Sequence, residues 1–375
     1  MKTPICEALG IDVPIFAFTH CRDVVVAVSK AGGLGVLGAV SYTLEDLKST
    51  LDWIDANIGD KPYGVDVIIP QKYEGIGAMD ADELEAKLQA MIPQQHIDFA
   101  NQLLADHHVP QWPDEKTRRG LLGWTEATGG PMVEEAISRN KCKIIVNALG
   151  TPPVHMIEKI HNAGKLVGAM CGKPKQALAH KQAGVDLIIA QGAEAGGHTG
   201  EISSLVLWPQ IVEAVAPTPV LAAGGIANGQ QMVAAMACGV QGVWTGTLWL
   251  TVEEAEASEA EKNVYFNAES SDAIRSRAWT GKPARCIKND WTDAWAQPDT
   301  PDPLGMPLQG LVTIDAIQRT HHYPEQGEAQ KVSFQPAGQV VGQLKQVKSC
   351  REQMYQLLDD YVETMARLNQ LLATE

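Results

Sequence analysis

Residues 142–190 read CKIIVNALGTPPVHMIEKIHNAGKLVGAMCGKPKQALAHKQAGVDLIIA. Three apolar runs of strand length stand in this stretch: Lys143–Ala148, Leu166–Met170 and Asp186–Ala190. Helix-like segments, Pro153–Ala163 and Pro174–Ala183, separate them. The runs are continuously apolar rather than alternating, which suits strands covered on both faces. Strand and helix signals that take turns point to a parallel sheet. In Ala183-Gly184-Val185 the glycine ends a helix and turns the chain into the next strand, and Cys238-Gly239-Val240 repeats the device.

Outward from this stretch the pattern continues. Leu205–Val215 reads as a helix, Pro219–Ala223 as a strand, Gln230–Cys238 as a helix and Gly242–Thr245 as a strand. Toward the N-terminus, Val13–Ala17, Leu34–Ala39 and Tyr63–Ile68 read as strands, with helices over Arg22–Ala31 and Thr43–Asn57. Three strands before residue 70 and five after 142 make eight, the number that closes a barrel. The expected fold is α/β: a (β/α)8 TIM barrel with a helical insertion after strand 3 and an irregular C-terminal insertion or cap. Residues 1–265 are expected to form the barrel, with the insertion at about 70–140 and helical patterning over Asp80–Asp106. Residues 266–335, rich in proline, read as the cap. Residues 336–375 read as C-terminal helices packed on the barrel, with Val340–Leu371 forming one closing helix or two.

Bulk properties narrow the function. The formal net charge is −15 over 375 residues, which disfavours nucleic acid and anionic membrane as partners. Seven cysteines are scattered without a C-x-x-C pair, so neither a disulfide framework nor a zinc knuckle is expected, and a reducing, cytoplasmic setting fits. No apolar run is long enough to span a bilayer. The adjacent histidines His107-His108 and His321-His322 lack a third ligand at metal spacing and read as surface residues, so no metal is expected. Cys171, at the end of a strand, reads as a buried structural thiol.

The chemistry concentrates in Gln191-Gly192-Ala193-Glu194-Ala195-Gly196-Gly197-His198-Thr199-Gly200, which follows the strand DLIIA. Barrel active sites lie at the C-terminal ends of the strands. Four glycines allow close backbone approach to a ligand. His198 is a side chain that changes charge near neutrality. Two more glycine turns end the last two strands: Gly224-Gly225 after VLAA, and Gly246-Thr247 after Trp244-Thr245. Those are the usual phosphate-holding positions of this fold.

These segments resemble the nitronate monooxygenase family, also called 2-nitropropane dioxygenase-like proteins. The resemblance runs through Ala31-Gly32-Gly33-Leu34-Gly35, QGAEAGGHTG, AAGGIANG, GVWTGT, Trp279-Thr280-Gly281-Lys282-Pro283-Ala284-Arg285 and Ala337-Gly338-Gln339. It implies an FMN-containing barrel that oxidises a small molecule, an alkyl nitronate or nitroalkane, with O2. By position it makes His198 catalytic, as the base toward a neutral nitroalkane or as a positioning and charge-stabilising group toward a nitronate. It places Gln191, Gly196 and Gly197 beside the flavin. Gly224, Gly225, Gly246 and Thr247 would hold the phosphate, with Trp244 and Thr245 in the same segment. Ala17 aligns with the first-strand residue against the flavin ring. Asp66 stands where relatives often have asparagine in G-V-N, and Phe16-Ala17-Phe18-Thr19 replaces their Q-A-P-M; both departures bear on the substrate. Two other readings stay open: an NAD(P)H-dependent FMN reductase resembling enoyl-acyl carrier protein or quinone reductases, and a flavin- or phosphate-binding barrel without turnover.

Overall fold

The computed structural model describes residues 2–40, 42–68, 81–113 and 126–372. Its strands, in chain order, are β1 (Ile15–Thr19), β2 (Leu34–Gly38), β3 (Tyr63–Val67), β4 (Cys142–Asn147), β5 (Leu166–Cys171), β6 (Leu187–Gln191), β7 (Gly197–His198), β8 (Val220–Ala223), β9 (Gly242–Thr245), β10 (Ala273–Ser276) and β11 (Ala284–Ile287). Eight of them, β1 to β6 with β8 and β9, close into a parallel barrel. The seam is the pairing of β1 with β9, where Phe16 lies beside Trp244 and Ala17 beside Thr245.

Side chains alternate between two cores, as strand geometry requires. Phe16, Leu34, Val36, Ile144, Val146, Leu187, Ile189, Leu221 and Trp244 fill the barrel interior. Ile15, Ala17, Leu37, Val65, Ile145 and Ile188 face outward onto the helices. Burial on both faces explains why the strands read as unbroken apolar runs.

One end of the barrel is closed by the helix Pro4–Leu9, whose Ile5, Cys6 and Leu9 join the interior core. Thr3 donates a hydrogen bond at 2.7 Å to the carbonyl of Gln241, just before β9, so this plug sits at the N-terminal ends of the strands. The open mouth is therefore the other end, where the strands finish. The C-terminal segment contains one 23-residue helix, Cys350–Leu372. It packs so closely on Gly229, at the start of the helix Gly229–Ala237, that a Cβ there would lie 2.1 Å from the nitrogen of Tyr361.

Within the patterned stretch Asp80–Asp106 there are two helices, Ala81–Gln89 and Gln94–Asp106, parted at Pro93, which cannot continue a helix from the preceding turn. The segment 266–335 holds more regular structure than its prolines suggest: β10, β11 and a 15-residue helix, Leu308–His322. Leu103 and Leu104 from the insertion join Trp279, Trp291, Trp295 and Val312 in a separate core. The rings of Trp279 and Trp291 stack at 4.7 Å. The insertion and the segment 266–335 thus share one hydrophobic cluster, held by large aromatic burial.

Candidate functional site

The loop after β6 is anchored on every side. Glu194 turns back to the helix Ser204–Val215, where its carboxylate accepts hydrogen bonds from the Ser204 N–H at 2.9 Å and hydroxyl at 2.8 Å. A carboxylate at a helix N-terminus is favoured by the helix dipole. Arg285 in β11 donates to the carbonyl of Ala193 at 3.0 Å and also to that of Ala273. The segment Ala337-Gly338-Gln339 wedges between this loop and the turn after β9: Gly338 donates to the Thr247 hydroxyl and Gln339 to the Glu194 carbonyl, both at 2.9 Å.

Two of the four loop glycines serve these contacts. A Cβ on Gly192 would lie 2.0 Å from the Ser204 hydroxyl oxygen, and one on Gly196 would lie 2.8 Å from the backbone of Ala337. Gly196 is thus required by the chain it packs against. Gly197 is different: its φ is +72° and no atom lies within 4 Å of an added Cβ. It releases the backbone into β7, which pairs antiparallel with β11, Gly197 beside Arg285 and His198 beside Ala284. Together β10, β11 and β7 form a small sheet that carries His198.

The His198 side chain reaches Thr280, with Nε2 2.7 Å from the hydroxyl oxygen. That hydroxyl lies 3.1 Å from the carbonyl of Lys282, to which it can give its one proton. With that proton so placed, the oxygen accepts from Nε2–H and Nδ1 is left as the unprotonated nitrogen of the neutral ring. Solvent reaches His198, yet crowding of protein around the ring, and then the charge of Lys282, hold its pKa below the ordinary 6.5. The imidazole is therefore neutral near pH 7, the state a base requires.

The two glycine turns lie after β8 and β9 as the sequence indicates. Gly224 and Gly225 have φ of +91° and +72° in succession, and a Cβ on Gly225 would meet nothing nearer than 3.8 Å. Gly246 opens a short 3-10 turn, Thr247–Trp249. At the start of the helix Gly229–Ala237, the Asn228–Gln231 capping box takes the N–H groups of Asn228 and Gln231. Thr245 is engaged structurally: its hydroxyl donates to the Phe16 carbonyl at 3.0 Å and Trp249 Nε1 donates to it.

The interior wall near the mouth is aromatic. Trp244 stacks on Phe16 and Phe18 at 6.4 and 6.0 Å, and His20 sits edge-on to Phe18 at 5.2 Å. Ala17 lies in the same strand but its side chain belongs to the outer core, so toward the mouth it offers backbone only. Gln191 ends β6, half-buried, beside Ala223. Phe18, His20, Thr280 and Arg285 are the contributors that motif reading assigned no role.

Asp66 is the least satisfied group of the site. It is fully buried in β3 beside Gly38 and Val146, and neither carboxylate oxygen has a hydrogen-bond partner among the described residues. Burial pushes its pKa well above the ordinary 3.8. A buried carboxyl without a partner fits a site completed by a bound polar group. The folded chain holds this proton where the unfolded chain has lost it, so stability falls as pH rises from 3.8 through the raised pKa. Asp66→Asn, tested without added cofactor, should remove that slope. The gap in unfolding midpoint, variant minus wild type, should widen as pH increases from about 4 to about 8. A gap constant across that range would show that Asp66 is paired or ionised.

Residues elsewhere behave structurally. Cys171 is buried, its thiol pushed up to about 12 by burial. His107 bridges Leu103 and Asp290, and His321 bridges Glu261 and Phe334, tying helices to the cap. Among the described residues no helix is long and apolar enough to cross a membrane.

Known proteins resemble this chain over most of its length. A Mycobacterium tuberculosis protein provisionally named a monooxygenase is 45% identical over 99% of this chain and 100% of its own length. A Staphylococcus aureus protein provisionally named a nitronate monooxygenase is 28% identical over 83% of this chain and 85% of its own. Among solved structures, a nitroalkane oxidase from Streptomyces ansochromogenes superposes with a TM-score of 0.77 at 23% identity, covering 98% of this chain and all of the other. FabK from Thermotoga maritima gives 0.74 at 23% identity, covering 99% of each chain. At that identity the two structures establish the shared barrel. The family itself is matched over residues 10–360, so this chain, with its histidine loop stitched to the cap beside the barrel mouth, belongs to the nitronate monooxygenase family of oxidoreductases.

Proposed function

We propose that the protein is an FMN-dependent nitronate monooxygenase that oxidises small alkyl nitronates, and their parent nitroalkanes, with O2. The observation that carries this reading is His198. It is held on β7 at the mouth, oriented through Nε2 by Thr280 and kept neutral by its surroundings. The rest of the site fits a flavin mononucleotide. Gly225 and Gly246 leave space for one phosphate at the ends of the last two barrel strands, with Gly224 and Thr247 as its neighbours in the same two turns. The wall of Phe18 and Trp244 and the unpartnered Asp66 carboxyl offer an apolar face and a hydrogen-bond donor for a ring. In this reading Gly197 and Gln191 lie beside that ring. When bound, the flavin supplies electron transfer from the substrate and onward to O2.

The chain's own residues divide the remaining work. With a neutral nitroalkane, His198 Nδ1 takes the α-proton while Thr280 holds the ring's other nitrogen. With a nitronate that proton is already gone, and His198 positions the anion and offsets charge changes during oxidation. Phe16, Phe18 and Trp244 exclude water from the inner wall.

The purified protein is expected to be yellow and to release FMN on denaturation, identified by mass. FAD, or no flavin even after reconstitution, would refute the cofactor assignment. Anaerobic mixing with nitronates, nitroalkanes and NAD(P)H should then bleach the flavin with nitro compounds. Rapid bleaching by NAD(P)H alone would identify a reductase instead.

A further inference from the structure

We infer that Lys282 is the anion-recognition residue of this mouth, making it selective for a small carbon acid in its anionic form. The inference rests on the oxidation proposed above and names how the same site tells a nitronate from its neutral parent.

Charge distribution is the first ground. The chain carries 45 acidic residues against 30 basic ones, yet residues 273–288, AIRSRAWTGKPARCIK, contain five cations and no acid. This is the hairpin that pairs with His198. Three of its cations have assigned partners. Arg277 lies 3.6 Å from Asp302, Lys288 lies 3.5 Å from Asp293, and Arg285 donates to backbone carbonyls. Arg275 and Lys282 have no ion pair among the described residues, and both are exposed. Of these two, Lys282 sits in the turn that grips the histidine, its carbonyl 3.1 Å from the Thr280 hydroxyl.

The second ground is the state of the histidine. Lys282 is the charged group that acts on the His198 ring; Arg285 lies opposite the neighbouring Gly197, and Glu194 belongs to the same loop. Glu194 is committed to Ser204 and Arg285 to carbonyls. The nearby Lys282 charge disfavours the imidazolium. The arrangement thus separates two duties that a protonated histidine would have combined. Lys282 attracts the anion, and the imidazole stays free to accept a proton. A neutral nitroalkane gains nothing from the lysine, whereas a nitronate does.

The test compares holoenzyme carrying Lys282→Gln with wild type and with Lys282→Arg. For an alkyl nitronate kcat/KM should fall roughly 3- to 5-fold in Lys282→Gln, mostly through KM, the upper scale of a solvent-screened ion pair. Well above pH 6.5, where His198 is neutral, the neutral nitroalkane should change by less than about twofold. Added salt should weaken nitronate turnover in wild type and hardly at all in the variant. The His198 imidazole, followed by NMR, should titrate at higher pH in Lys282→Gln. Lys282→Arg should restore nitronate KM and salt dependence. Equal losses on both substrate forms, or an unchanged salt dependence, would overturn the inference while leaving the proposed oxidation standing. If wild type turns over no nitro compound, the oxidation falls instead. Inorganic nitrate then decides the inference through saturable shifts of the His198 resonance. Weaker nitrate binding by Lys282→Gln supports it, and equal binding refutes it.

Discussion

His198→Asn should lower kcat/KM for neutral nitroalkanes by roughly 10²–10⁴-fold, the usual contribution of general base catalysis. Asparagine keeps a polar side chain but loses the titratable nitrogen. For preformed nitronates the loss should be smaller, because no α-proton remains to be removed. FMN should stay bound, since the proposed phosphate seat lies at the other glycine turns. The informative quantity is the ratio of the two losses. Equal large losses would make His198 a positioning group for both substrates, and unchanged turnover would remove it from catalysis. Wild-type pH dependence adds an independent check. Because burial and Lys282 lower the histidine pKa, the acid limb of kcat/KM for nitroalkanes should fall below pH 6.5. A limb above that value would mean the ring is stabilised in its charged form.

The second large effect concerns Gly225. Its φ of +72° lies where a β-branched residue is strained by about 1–3 kcal/mol. The space beside it is open, with Ser204 Oγ and Glu194 Cβ the nearest atoms, at 3.8 and 3.9 Å. Valine there would fill the proposed phosphate seat. Gly225→Val should weaken FMN affinity by on the order of 10²-fold or more, beyond what strain of that size costs the fold. Gly225→Ala separates the two causes, since it shares the backbone strain but adds no γ carbons. It should lose comparable stability and much less affinity. Flavin bound by Gly225→Val with wild-type affinity would move the phosphate elsewhere.

The barrel was legible because its strands are covered on both faces and its helices carry their own stop signals. Gly242–Thr245 and Pro174–Ala183 have the same bounds in sequence and structure, and the other strand ends agree to within two residues. The helix Leu308–His322 was not legible. Its buried face includes Gln309, Thr313, Arg319 and Thr320, each paid for by a specific hydrogen bond, so the usual apolar stripe is diluted. Nor could β7 be read, since a Gly-His dipeptide has no strand preference of its own and becomes a strand only because β11 lies beside it. The same is true of Thr280. Its motif stands out in the sequence, but its role depends on a contact across 82 residues. Glycine density overstates the openness of the loop after β6, because packing claims Gly192 and Gly196.

The pairing of β7 with β11 also sets a rule for recombination. A crossover between two relatives anywhere from residue 201 to 272 would join one parent's histidine loop to the other parent's hairpin. Such a chimera inherits mismatched partners at His198–Thr280 and Ala193–Arg285 even if both parental barrels are intact. Family members should therefore exchange residues 191–200 and 273–288 as a single unit, and substrate preference should travel with that unit rather than with the barrel that carries it.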